Sequence, residues 1–137
     1  MIIGIDPDLE KSGIACLHQD TKKIEMCCLD FYSLLSFVRM NKEIITCVYI
    51  EAGWFNKKSN FHYSPNMSVS AKIGKAVGEN HAAGKLLAQC IEREQIKVVL
   101  VKPTKTKLNA DQFKKLTKIQ TQTNQEVRDA AMLVWGR

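Results

Sequence analysis

The chain has 137 residues, an apolar fraction of 45% and a formal net charge of +6. This length suffices for a substantial hydrophobic core, and we expect a single domain over residues 1–137. No run of about 18 apolar residues is present, which excludes a typical membrane-spanning helix, and the first residues do not resemble a signal peptide. We therefore expect an intracellular, cytoplasmic protein with no membrane partner.

The five cysteines form no C-x-x-C pair. Four of them lie in strand-like apolar runs and Cys90 lies in a helix-like run, so we expect small buried residues in a reducing compartment. The spacing typical of zinc ligands is absent, and no zinc site is predicted.

The first half of the chain predicts a meander of strands followed by a helix and a further strand. Short apolar runs over residues 2–5, 13–18 and 23–29 are joined by polar connections, which favours three antiparallel strands. Residues 33–40 have the pattern of a short amphipathic helix, and residues 44–50 that of a strongly apolar strand.

The second half alternates helices with one more strand. A helical pattern covers residues 69–93, a strand 96–101, and two further helices about 111–119 and 125–135. The order β-β-β-α-β-α-β-α-α predicts an α/β fold with a five-stranded mixed sheet, an antiparallel meander followed by parallel strands, and helices on both faces. Candidate N-caps are Ser68 or Ser70 for the first of these helices and Thr123 or Asn124 for the last.

Two carboxylates end buried strands. Asp6 follows the first strand and Glu51 the fourth. A carboxylate in that position loses hydration unless a cation or a hydrogen-bond donor compensates it. If the two strands are neighbours, the acids lie side by side about 5 Å apart. Asp6 could instead only cap the turn that begins at Pro7.

Two more acids lie three residues apart near the start of the last helix. Glu126 and Asp129 project from one face, and the apolar residues after them indicate that this face packs on the sheet. The positive end of the helix dipole would suffice to explain either acid alone.

Four clustered carboxylates are costly without a cation. Grouped around two Mg²⁺ ions about 3.5–4 Å apart, they form a known arrangement for cleaving phosphodiesters, and hard oxygen ligands favour Mg²⁺ or Mn²⁺. The sequence therefore predicts a metal-dependent nuclease with Asp6, Glu51, Glu126 and Asp129 as catalytic metal ligands.

A basic segment and an aromatic loop indicate where a nucleic acid could bind. Residues 102–118 contain six lysines and one aspartate, which suits phosphates but also an ordinary solvated face. The loop over residues 52–67 has four aromatic residues interleaved with basic ones, which argues against disorder. Its Trp54 and Phe55 could contact nucleic acid or only anchor the loop to the body of the protein.

Four motifs, taken together, resemble the RuvC family of Holliday junction resolvases within the RNase H-like superfamily. They are IIGIDP at residues 2–7, GIA at 13–15, VYIE at 48–51 and E-x-x-D-A at 126–130. The resemblance covers nearly the whole chain in the same order. The chain departs from the family in two places, since Asp8 stands where a glycine is usual and Glu126 where an aspartate is common.

The resemblance implies an RNase H-like fold and a homodimer that makes paired nicks in four-way DNA. It implies that the four acids bind two Mg²⁺ ions, which Mn²⁺ can replace, and that Trp54 stacks on a base near the junction centre. It further implies a protein that acts at the nucleoid in DNA recombination and repair. The other residues predicted to contact DNA are Phe55, Lys57, Lys58, Lys105, Lys107, Lys114 and Lys115.

Three functions are compatible with this sequence. The first is a junction-resolving endonuclease, which the end of the fourth strand and the aromatic loop favour. The second is a nuclease of the same fold that acts on structured RNA, as in YqgF-type proteins. The third is a non-catalytic nucleic-acid-binding module, against which the intact set of four acids argues.

Overall fold

A computed structural model describes residues 1–56 and 67–137, with only the backbone of residue 67. Five strands form one mixed sheet of order β3-β2-β1-β4-β5. The strands β1, β2 and β3 are antiparallel neighbours, while β4 and β5 run parallel to β1. The strands are β1 Ile2–Asp6, β2 Ser12–Leu17, β3 Ile24–Leu29, β4 Cys47–Glu51 and β5 Val98–Val101.

Four α-helices cover the two faces of this sheet. They are α1 Phe31–Met40, α2 Met67–Arg93, α3 Ala110–Thr117 and α4 Gln125–Val134, with short 3₁₀ turns at Lys42–Ile44 and Gly53–Phe55. Helices α1 and α2 share one hydrophobic core with the sheet, and α3 and α4 share the other. The predicted mixed sheet, its meander and its helices on both faces are confirmed. None of the described helices is long and apolar enough to cross a membrane.

Side-chain caps set where three of the helices begin. The Asp30 carboxylate accepts hydrogen bonds from the backbone of Tyr32 and Ser33, so α1 begins two residues earlier than predicted. Asn124, one of the two predicted residues, caps α4. A reciprocal pair of bonds between Asn109 and Gln112 caps α3. The predicted caps of α2 are wrong, because this helix begins at Met67 and both serines lie inside it.

Two strands are shorter than the apolar pattern predicted. The fourth begins at Cys47 rather than residue 44, and the fifth begins at Val98 rather than residue 96. Ile45 and Ile96 lie outside the strands yet are only 8% and 7% exposed. The apolar pattern therefore indicates which residues are buried, and burial extends beyond the residues that pair in the sheet.

The prediction of buried cysteines holds for only part of the set. Cys16 and Cys47 are buried, whereas Cys28 and Cys90 are half-buried and Cys27 is exposed. β3 is an edge strand of the sheet, and its burial alternates between partly buried and exposed positions. An edge strand with one open face leaves alternate side chains, including that of Cys27, in solvent.

Candidate active site

The two acids that end strands lie on neighbouring strands, which is the condition that the sequence analysis gave for placing them side by side. β1 and β4 are parallel and paired, with Ile5 opposite Ile50. Asp6 and Glu51 are the next residues on each strand, so they occupy adjacent positions at the carboxyl ends of the two strands. This is the edge where ligands bind in open α/β sheets.

Two glycines let helix α4 approach the sheet closely enough to bring its acids to the same edge. A β-carbon at Gly4 would clash with the carbonyl oxygen of Ala130, and one at Gly13 would clash with that of Glu126. Asp129 is consequently buried on the side of α4 that faces the sheet, and Glu126 is half-buried. The sequence carried this signal in two of its glycine motifs, but the close approach could be recognised only from the packing.

The four acids interact electrostatically. Burial, followed by the negative charge of Glu51, raises the pKa of Asp6 to about 7, with smaller contributions from Asp129 and Glu126 and with Lys107 opposing the rise. Burial also raises the pKa of Glu51, again against the effect of Lys107. Such shifts are typical of carboxylates that share a site without enough positive charge.

Lys107 supplies positive charge inside this cluster. Its ammonium donates a hydrogen bond to the Asp129 carboxylate and lies 3.9 Å from a Glu51 oxygen. Burial by itself lowers the pKa of Lys107, but the hydrogen bond to Asp129 and the charges of Asp6, Asp129 and Glu51 outweigh it and raise the pKa. We predicted that Lys107 binds phosphate. In the structure, its ammonium contacts the carboxylates of Asp129 and Glu51.

The chain next to Lys107 is held by helix α4. The carbonyl of Leu108 accepts hydrogen bonds from Gln125 at 3.4 Å and from Arg128 at 3.3 Å. Gln125 also donates to Asp129 at 2.7 Å and accepts from Arg128 at 2.8 Å. Thus one hydrogen-bonded group orients both the Asp129 carboxylate and the backbone that carries Lys107.

The donor chemistry of this cluster suits a hard divalent cation. Its four carboxylates are the ligand type that Mg²⁺ and Mn²⁺ prefer. Among the described residues, no three Asp, Glu, His or Cys side chains are grouped tightly enough to hold a metal ion as they stand. In this arrangement, Lys107 provides the positive charge beside the carboxylates. The two-ion site therefore stays a prediction.

A cleft of about 270 Å³ opens between the acids and helix α2. Three of the four acids line it together with Lys107 and with residues of α2. Its lining residues are Asp6, Pro7, Asp8, Glu51, Gly53, Trp54, Val77, Asn80, His81, Lys107 and Glu126. The sequence analysis assigned no function to the three residues of α2 in this lining, which are Val77, Asn80 and His81.

Asp8 is engaged in a clasp between the β1–β2 turn and helix α2. One of its carboxylate oxygens accepts backbone hydrogen bonds from Glu10 and Lys11, and the other accepts from the Asn80 amide at 2.8 Å. Asn80 in return accepts from the backbone of Leu9 at 3.1 Å. The residue that departs from the family pattern therefore ties this turn to α2.

Trp54 packs onto helix α2. A β-carbon at Gly84 would lie 2.8 Å from its ring, and Lys85 lies 5.7 Å from the ring centroid. Phe55, which is 43% exposed, contacts Trp54 edge-on with centroids 5.9 Å apart. These contacts fit the anchoring alternative for Trp54, and base stacking by either ring stays a prediction.

Three other lysines that were predicted to contact DNA are not among the residues that line the cleft. Lys105 is exposed in the segment between β5 and α3, and Lys114 and Lys115 lie in the last turn of α3. Lys57 and Lys58 fall outside the described residues. All of these assignments stay predictions.

Comparison with solved structures identifies the class of fold. The Fowlpox virus resolvase, solved with its substrate Holliday junction DNA, is 15% identical and covers 97% of this chain and 94% of its own, with a TM-score of 0.52. T. thermophilus RuvC, solved with a Holliday junction substrate, is 14% identical and covers 96% and 88%, with a TM-score of 0.48. No protein-family model and no curated protein matches the chain.

At 15% identity, the likeness to the Fowlpox resolvase shows a shared fold. The chain therefore shares its fold with the Fowlpox virus resolvase, and the predicted RNase H-like fold with its five-stranded mixed sheet is confirmed.

Proposed function

We propose that this protein is a metal-dependent endonuclease that cleaves four-way DNA junctions. The observation that carries the proposal is the meeting of Asp6, Glu51, Glu126 and Asp129 at the carboxyl edge of a sheet with the resolvase fold. The Fowlpox protein of this fold was solved with Holliday junction DNA, which supports a branched DNA substrate.

The four carboxylates would hold two Mg²⁺ ions, which when bound activate a water and stabilise the leaving oxygen of a phosphodiester. Asp6 keeps its proton up to about pH 7 while the cluster lacks further positive charge, because ionisation would add another negative charge to a buried group. Lys107 pairs with both Asp129 and Glu51 in that state and compensates part of their negative charge. Once its ammonium leaves these carboxylates, it can contact the phosphate, as its predicted role requires.

The basic segment would hold the DNA outside the cleft. Lys105, Lys114 and Lys115 are on the surface, where each ammonium can pair with a backbone phosphate. Such contacts carry no sequence information, so they suit a substrate selected by its branched shape.

Paired nicks need two active sites, and we propose that the protein acts as a homodimer. The N-terminal half of α2 is suited to this, because Val69 is 41% exposed and a β-carbon at Gly78 would meet no described atom within 4 Å. Sedimentation of the free protein and of its junction complex tests this assembly. A complex with one protein chain per junction would refute it.

The function is tested with an end-labelled synthetic four-way junction beside a linear duplex of the same sequence. We expect paired nicks in the junction alone, with Mg²⁺ or Mn²⁺ and not with EDTA. Asp6→Asn and Glu51→Gln should abolish nicking and preserve binding. Asp111→Asn, which removes an exposed acid at the start of α3, is the matched control and should cut normally.

The other outcomes point to the two alternative functions. Tight junction binding without cleavage in either metal would indicate a non-catalytic module. Indifference to the junction, together with cleavage of a structured RNA, would indicate an RNA nuclease. Either result would refute the junction-resolving proposal.

A further inference from the structure

We infer that His81 contacts the DNA strand in the cleft and donates a hydrogen bond to a phosphate oxygen of that strand. The inference rests on the proposed function, which places a phosphodiester beside the acids, and it adds a substrate-contacting residue from helix α2. His81 lies on α2, whereas the acids lie on β1, β4 and α4.

The imidazole of His81 is held in place by the elements around it. A β-carbon at Gly53 would lie 2.8 Å from its Nε2 atom and 3.1 Å from its Cδ2 atom, so the ring packs closely on the chain just after β4. Trp54 meets the ring edge-on, with centroids 6.2 Å apart and planes at 75°. The ring therefore has a defined position at the cleft.

The clasp described above fixes the same part of α2. Asn80, the residue next to His81, exchanges hydrogen bonds with Asp8 and Leu9 across more than 70 positions of sequence. These contacts engage both ends of the Asn80 amide, so Asn80 positions the helix. The neighbouring side chain of His81 also lines the cleft.

The ring nitrogens of His81 are unused by the described part of the chain, where no hydrogen bond to either of them is formed. Burial, and then the positive charge of Lys85, lower the pKa of His81, which favours the neutral form of the ring. A neutral imidazole has one N–H donor and one acceptor nitrogen. Its N–H can therefore serve a phosphate oxygen without placing another cation beside the acids.

A phosphate oxygen is the partner that fits this position best. Asp6, Glu51 and Glu126 line the same cleft as His81. Under the proposed function, the strand that enters the cleft brings the phosphate to be cut beside these acids. Most hydrogen bonds between proteins and DNA go to phosphate and sugar oxygens. A hydrogen bond to a charged acceptor is strong enough for its loss to be measured.

The test compares His81→Ala, which removes the nitrogens, with His81→Gln, which keeps an N–H donor. Gln89→Ala, at an exposed position further along α2, is the matched control. In single-turnover cleavage of a four-way junction, we expect His81→Ala to be about tenfold slower or to bind about tenfold more weakly. His81→Gln should recover most of that loss, and thermal unfolding should show that all three variants are folded.

A second measurement does not depend on cleavage. The chain has three histidines, so the imidazole resonances of His81 can be assigned by their absence in His81→Gln. In an Asp6→Asn background with EDTA, addition of the junction should shift these resonances to saturation together with binding. Junction binding that leaves them unshifted would overturn the inference.

Failure of this inference is distinct from failure of the proposed function. If the wild-type protein neither binds nor nicks the junction, the proposed function is wrong and the inference falls with it. If the wild type nicks normally and His81→Ala behaves like Gln89→Ala, only the role of His81 is refuted.

Discussion

Lys107 offers the sharpest test of how the acid cluster is balanced. Replacing it by methionine keeps most of the aliphatic stem and removes the ammonium from Asp129 and Glu51. We expect Lys107→Met to destabilise the metal-free protein and to bind Mn²⁺ more tightly than the wild type. Both effects have one cause, the loss of the Lys107 ammonium. Without it, no positive charge compensates the acids, which lowers stability, and none competes with the metal, which raises the Mn²⁺ affinity.

The size of the effect follows from the geometry. At the 3.9 Å that separates Lys107 from Glu51, the attraction of two unit charges is about 4 kcal/mol for an effective dielectric constant of about 20. The Lys107 side chain is 47% exposed, so solvent screens part of this, and the ammonium regains hydration in the unfolded chain. We therefore expect a net loss of about 2 kcal/mol in the free energy of unfolding.

Urea unfolding in EDTA at pH 8 measures the stability, and calorimetric titration with Mn²⁺ measures the affinity. Saturating Mn²⁺ should restore most of the stability of Lys107→Met, since the ion replaces the missing charge. Lys105→Met, which removes an exposed lysine close by in sequence, is the control and should change neither quantity. Unchanged stability and unchanged Mn²⁺ affinity in Lys107→Met would refute the idea that Lys107 balances the cluster.

Three further predictions concern the acids, the packing of α4 and the basic segment. The folded state raises the pKa of Asp6 to about 7. In EDTA, the wild type should therefore lose a few kcal/mol of stability relative to Asp6→Asn as the pH rises from about 4 to about 7. Parallel pH profiles of the two proteins would contradict this. Gly13→Ala should cost more than about 2 kcal/mol and slow cleavage, because the new methyl group overlaps the backbone of Glu126; wild-type stability in urea would show that α4 does not approach so closely. Replacing Lys114 and Lys115 by glutamine should lower the slope of log Kd against log salt by about 1.8 for duplex arms; an unchanged slope would remove both lysines from the DNA interface.

The sequence-based interpretation was most successful where a feature depends on neighbours along the chain. The short apolar runs located the five strands of the described residues, and the short connections gave the antiparallel meander. Asp6 and Glu51 could be placed together because each ends a strand and parallel neighbours end at the same edge. The boundaries were less accurate, because Ile45 and Ile96 are buried without pairing in the sheet.

The contents of the cleft could not be obtained in this way. In the sequence, Lys107 is one of a run of lysines that predicted a single basic surface. In the structure, its ammonium is hydrogen-bonded to Asp129, 22 positions away. His81 sits inside a long helix whose sequence does not say which way it faces. Asp8 looked like a departure from a family pattern and proved to be bonded to Asn80, 72 positions away.

The sequence by itself determined the sheet, the helices and the edge at which the acids gather, since hydrophobic periodicity and chain connectivity depend on local order. Tertiary structure alone decided which cation balances those acids and which side chains face them across the cleft. These contacts join residues far apart in the chain. They exist because Gly4 and Gly13 admit α4 to one face of the sheet, while the clasp of Asp8 and Asn80 holds α2 at the other.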